Sequence, residues 1–139
     1  KERFITLILN YKNSDINIQT RRGISPLYYA CVMKRGNVVK LLLGYDSIDV
    51  FVRNKDDNSI AIHAAGHYRC LTCVQYLLEY NINLVYIKGP MNQTVLHYLI
   101  STRDNNKNGK LLLHLMDIIL DQYKKDDKIE TLKASMANH

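Results

Sequence analysis

The stretch Gly23 to Leu43, GISPLYYACVMKRGNVVKLLL, returns in altered form at Ile62 to Leu78, IHAAGHYRCLTCVQYLL. Each copy sets a short helix with small residues against a second, more apolar helix across a polar turn. Val38-Val39-Lys40-Leu41-Leu42-Leu43 is apolar at every position but Lys40, which is too much for one face of a surface helix, so cover on two sides is expected. One helical pair cannot supply that cover, whereas stacked neighbours can. The spacing agrees. Phe4–Leu9 precedes Val38 by 34 residues, Ile62, Ala64 and Ala65 follow Leu27, Tyr29 and Ala30 by 35, and a third helix–turn–helix runs from Thr94 to Leu120.

The connecting turns share one steric demand. Gly23 in TRRG, Asn58 in KDDNS and Asn92 in GPMNQT are the residue types that best tolerate a positive φ. Ser25 is expected to cap the helix that Pro26 opens, and Ala30 marks a close approach of two helices. Phe4–Leu9 reads as a helix, Asn10–Asp15 as a turn and Ile16–Ile18 as an extended piece. The predicted division is a half-repeat over 1–18, repeats over 19–53, 54–87 and 88–123, the last with an inserted loop over 101–110, and a linker with a short capping helix over 124–139. Asp127 and Glu130 form a D-x-x-E capping pattern ahead of Ile129, Leu132 and Met136.

Ser25-Pro26-Leu27-Tyr28-Tyr29-Ala30, Ile60-Ala61-Ile62-His63-Ala64-Ala65 and Thr94-Val95-Leu96-His97-Tyr98-Leu99 resemble the T-P-L-H-x-A opening of the ankyrin repeat. The resemblance implies an all-α solenoid of helix–turn–helix units with β-turn fingers, about three full repeats plus terminal half-units. There are departures: Tyr28 stands for the family's His, Pro is lost in the later units, and Leu99 with Ile100 replace two alanines, which predicts splayed helices in the third unit. Repeats this degenerate are similar to those of viral, intracellular bacterial and protist proteins that act on hosts.

Composition narrows the function. The net charge is +6, with nine basic against four acidic residues over 1–54, so an electrostatic partner would favour the first half. The charges are scattered rather than run together, which points away from nucleic acid, the alternatives being nucleic-acid or nucleotide binding through that basic half, or a targeting domain of a larger enzyme or effector. Apolar runs such as Leu111–Leu113 end far short of a membrane span. Cys31, Cys70 and Cys73, an odd count in helical contexts, fit reduced thiols in an intracellular compartment. The chain starts at Lys1 without Met, signal peptide or transit-like segment and is expected to be a monomeric segment cut from a longer protein, any targeting information lying outside it.

The one metal-like spacing, His63, His67, Cys70 and Cys73, is read as structural: in the repeat register His63 serves the helix opening and Cys73 a core position. No phosphate-cradling glycine run and no nucleophile with a motif-linked base occur, so no catalytic residue, metal or cofactor is expected. The resemblance implies a protein partner, of unknown identity, gripped by finger tips and first helices. Carried onto this sequence, the tips are Gln19, Arg21, Arg22 and Ile24, then Asn54, Asp56, Asp57 and Ser59, then Lys88, Pro90, Met91 and Gln93. The helix positions are Val32 and Met33, His67 and Tyr68, and Ser101 and Thr102, with Arg22, Met33, Tyr68 and Met91 as favoured anchors.

Overall fold

A computed structural model describes residues 15–101 and 109–137. The Phe4–Leu9 helix, the Asn10–Asp15 turn up to its last residue, and Thr102 lie outside the described residues. Seven α-helices occur among the described residues: α1 Pro26–Val32, α2 Gly36–Leu43, α3 Ala61–His67, α4 Leu71–Tyr80, α5 Val95–Ser101, α6 Gly109–Lys125 and α7 Ile129–Ala137. Two 3-10 turns, Ile82–Tyr86 and Pro90–Asn92, complete the list, and no strand is formed among these residues. The class is all-helical, as expected.

Helices α1, α3 and α5 line up in one layer and α2, α4 and α6 in a second behind it. The core between the layers is made of Leu27, Val39, Leu42, Ile62, Val74, Leu77, Leu96, Leu115 and Ile119, each at most 1% exposed. Burying one such side chain contributes about 1.5–3 kcal/mol, so the inter-repeat seam is where the stability lies. Two-sided cover of α2 is only partial: Val38, Val39 and Leu42 are buried, but Leu41 is half exposed. Among the described residues α5 touches α6 less extensively than α3 touches α4.

The Ser25 cap is present: its Oγ accepts from the Tyr28 N–H at 3.1 Å. Both first helices then end alike. After α1, Lys34 N–H donates to Cys31 and Arg35 N–H to Ala30; after α3, Arg69 N–H donates to Gly66 and Cys70 N–H to Ala65. This is the Schellman arrangement, with Lys34 and Arg69 at φ 58 and 61, a conformation that favours glycine. Asp127, at φ 53, ends α6 in the same way, with Lys128 N–H on Tyr123 O.

Several boundaries differ from the sequence expectation. Helix α6 begins at Gly109, inside the expected loop 101–110, and runs through Lys124 and Lys125, which were expected to be linker. The amphipathic run Leu111 to Leu120 simply propagates in both directions once nucleated. Asp127 does not cap α7: its left-handed backbone closes α6 instead. Residues Ile16–Asn17 form a turn rather than an extended piece, because the Asp15 carboxylate accepts the Asn17 N–H. Asp49 and Asn81 make the same local bond to Phe51 and Asn83.

The thiols also differ. Cys31 is free and buried, but Cys70 and Cys73 are joined as a disulfide, their Cα atoms 5.2 Å apart. Cys70 caps α4 and Cys73 lies one turn inside it, so the first helical turn itself brings the two sulfurs together. Burial pushes the Cys31 thiol far above its ordinary range.

Candidate functional site

Three turns project from the front of the first-helix layer. In the first, Thr20 N–H donates to Ile24 O and Gly23 takes φ 83; in the second, Asn54 N–H donates to Ser59 O with Asn58 at φ 64; in the third, Gly89 N–H donates to Gln93 O with Asn92 at φ 57. The three positive-φ positions are those that Gly23, Asn58 and Asn92 mark in the sequence. Met91 was not marked: it shares the left-handed conformation at φ 58, and with Asn92 it makes a type I′ turn closed by Gln93 N–H on Pro90 O.

The fingers are tied to one another. Gln19 Nε2 donates to Arg53 O, and Arg53 Nη1, in the same register one repeat on, donates to Lys88 O. Lys55 N–H donates to Arg22 O at 2.9 Å. A Cβ on Gly23 would stand 2.8 Å from that same Lys55 nitrogen, so this approach needs glycine on steric as well as conformational grounds.

Behind the tips, the helix-opening histidines anchor the fingers. His63 Nδ1 accepts from Ile60 N–H at 3.1 Å, so its proton sits on Nε2, which donates to Ile87 O at 2.8 Å on the next repeat. Burial holds its pKa below 6.5, and Arg53 pushes the same way more weakly. Gly89 allows the contact, since a Cβ there would fall 2.7 Å from Nδ1. His97 repeats the pattern: Nδ1 accepts from Thr94 N–H at 2.9 Å and Nε2 lies 3.0 Å from Ser135 Oγ on α7. Tyr28 does the equivalent job by other means. It leaves capping to Ser25 and reaches Ser59 Oγ with its hydroxyl, 2.7 Å away. Both ring nitrogens of His63 are thus occupied by the backbone, and no cluster of three metal-ligating side chains occurs among the described residues.

Between the second and third fingers and helices α1, α3 and α5 lies a groove of about 510 Å³. It brings together Asp57, Ser59, His67, Tyr68, Pro90, Met91, Gln93 and Ser101 from the sequence expectation, and adds Tyr28, His63, Ala64 and Tyr98. Rings dominate one wall: His67 lies edge-on to Tyr68 at 4.8 Å and to Tyr98 at 6.0 Å. Burial, and after it the Asp57 charge, raises the Tyr98 phenol above its ordinary value. Gly66 lets Tyr98 come this close to α3, for a Cβ there would be 3.0 Å from that of Tyr98.

The remaining expected residues divide. Gln19, Arg21, Arg22, Met33, Asp56 and Lys88 are exposed and Ile24 and Val32 half-buried, but none lines this groove. Asn54 and Ser59 are corrected: they are 7% and 3% exposed, because the Tyr28 hydroxyl draws both into the finger base. Tyr98 had a signal in the sequence, being in register with exposed Tyr29, but the small Ala64 between them hid it.

This is the architecture of a repeat-solenoid scaffold, in which hairpin fingers and a layer of first helices face one way and the packed second helices the other. The chain belongs to the ankyrin repeat family: the family model "Ankyrin repeats (3 copies)" matches residues 1–87. A probable serine/threonine-protein kinase of Dictyostelium discoideum is 29% identical over 112 residues, which are 81% of this chain and 11% of that protein. Among solved structures, a chain in the complex of a predatory endopeptidase from Bdellovibrio bacteriovorus with an immunity protein superposes with a TM-score of 0.60 at 20% identity. That match covers 78% of this chain and 54% of that one, and it shows the fold. No helix among the described residues is long and apolar enough to cross a membrane.

Proposed function

We propose that this chain is a non-catalytic module that binds another protein in the groove between its fingers and first helices. The carrying observation is the groove itself, about 510 Å³ in volume and walled by rings and a thioether, placed where the stacking of the repeats leaves side chains unused. Large exposed residues are gathered along the same front: Met91 at 78%, Met33 at 47% and Tyr68 at 43% exposure. The finger ties from Gln19 to Arg53 and from Arg53 to Lys88 support recognition by a preformed surface. The same reading divides the chain into units over 19–53, 54–87 and 88–123 and places it inside a cell, where ankyrin proteins commonly act. Membership in a longer protein is part of it too, and the stretch matched in the kinase relative is 11% of that protein.

A random-peptide display library selected on the folded protein tests it. Selected peptides are expected to lose at least about tenfold in affinity to the double variant Tyr68→Ala, Met91→Ala, a change of about 1.4 kcal/mol, while Tm moves little. Peptides that bind the double variant equally well would place the binding surface elsewhere, and a variant that unfolds would put these residues in the packing and not on a free surface.

A further inference from the structure

The lining of this groove runs against the charge of the chain. The protein carries a net +6, yet among the described residues no Lys or Arg lines the groove and Asp57 is the one charged side chain that does. Arg53, just before the second finger, is held on Asn58 O and Lys88 O. Asp57 itself is half used: the Ser59 N–H and hydroxyl both bond to Oδ1, at 3.0 and 2.6 Å, and among the described residues no hydrogen bond falls on Oδ2. These two bonds hold the carboxylate in one orientation at the finger tip. Around the same hollow stand the rings of Tyr28, Tyr98, His67 and Tyr68 and the Met91 thioether. A carboxylate beside several π faces suits a large, weakly hydrated cation better than a neutral or anionic group.

We propose, building on the binding role above, that this groove takes a basic side chain of the partner, arginine or lysine, its cation set between the Asp57 carboxylate and the rings of Tyr98, Tyr68 and His67. The partner segment then presents a base at the position that lies over α3. The long aliphatic stem of such a side chain covers Met91 and Pro90 while its charged end reaches Asp57.

The test is an amide-resolved NMR titration of the folded protein with four capped amino acids: the Nα-acetyl N-methylamides of arginine, lysine, citrulline and norleucine. Arginine and lysine are expected to move the amides of Asp57, Ser59, His67 and Met91 with millimolar saturation, and citrulline and norleucine to leave them in place. Asp57→Asn keeps an oxygen for both Ser59 bonds and is expected to weaken the cations about tenfold, since it removes only the charge. Tyr68→Ala, at an exposed position, provides a second reading should the first variant lose its fold, with at least about threefold weakening expected from the lost cation–π face. Equal shifts from citrulline or norleucine, no shift from any of the four, or unchanged affinity in the folded variants would overturn the proposal. Selected peptides that bind the groove yet lack Arg and Lys would sink it while leaving the binding role standing, and failure to select any groove-binding peptide would sink the binding role itself.

Discussion

The hydroxyl of Tyr28 on α1 lies 2.7 Å from the hydroxyl of Ser59 in the second finger, and Asn54 Nδ2 donates to the same phenol at 3.2 Å. One oxygen thereby fastens a helix to the finger of the next repeat, where the later units use a histidine. Tyr28→Phe keeps the ring and removes this oxygen, leaving the Asn54 amide without that acceptor. A loss of about 1–2 kcal/mol is expected in urea or guanidinium unfolding. Ser59→Ala alone should cost less, because Asn54 retains the phenol.

Gly89 and Gly109 should respond oppositely to alanine. A Cβ on Gly89 meets Nδ1, Cε1 and Cγ of a ring that two hydrogen bonds hold still, at 2.7 to 2.9 Å. Gly89→Ala is expected to cost about 1–3 kcal/mol by overpacking. Among the described residues nothing lies within 4 Å of a Cβ on Gly109, so Gly109→Ala at the start of α6 should be neutral or stabilising by up to about 1 kcal/mol. Thermal melts of the two variants side by side check the contrast.

Left-handed backbone carries different meanings at Lys34 and Met91. Both have φ 58, and replacing either by glycine relieves the Cβ clash, with a net gain of about 0.5–1 kcal/mol expected in each case. Lys34→Gly should leave peptide binding untouched, whereas Met91→Gly should weaken it, because Met91 lines the groove. A parallel loss of binding in both variants would contradict the site.

His63 makes stability depend on pH. Its folded pKa lies below 6.5, so between the two values the unfolded chain binds more protons and folding weakens as pH falls. Stability is fully present above about pH 6.5 and should decline below it, at up to about 1.4 kcal/mol per pH unit. In His63→Gln, denaturation at pH 7.5 and 5.5 should show a smaller difference than in the parent, on a lower starting stability. An unchanged pH dependence would remove His63 from this role.

Much of the fold was legible because the repeat states its requirements several times. Gly23, Asn58 and Asn92 are poor in steric bulk or tolerant of positive φ, and each sits at a finger turn. Lys34, Arg69, Asp127 and Met91 adopt the same conformation without announcing it, since their side chains only pay a local strain that the surrounding hydrogen bonds enforce. The groove was legible in outline. Register put Asp57, Tyr68 and Met91 on the front surface, but it also put Asn54 and Ser59 there, because register cannot tell a tip from a base when the hydroxyl of a tyrosine on the preceding repeat draws both inward. The Cys70–Cys73 bridge escaped for another reason: an odd cysteine count says nothing about a pair that one helical turn brings together.

The carbonyl ties between fingers, from Gln19 to Arg53 and from Arg53 to Lys88, leave a lasting consequence. They fix the pitch of the front surface through main-chain acceptors, which every amino acid possesses. Tip residues such as Arg22, Asp57 and Met91 are therefore free to change identity without altering the distance at which neighbouring tips meet a ligand. The scaffold behaves as a ruler whose graduations stay put while its lettering is rewritten, so new specificities can arise by single substitutions at the tips with no refolding problem to solve.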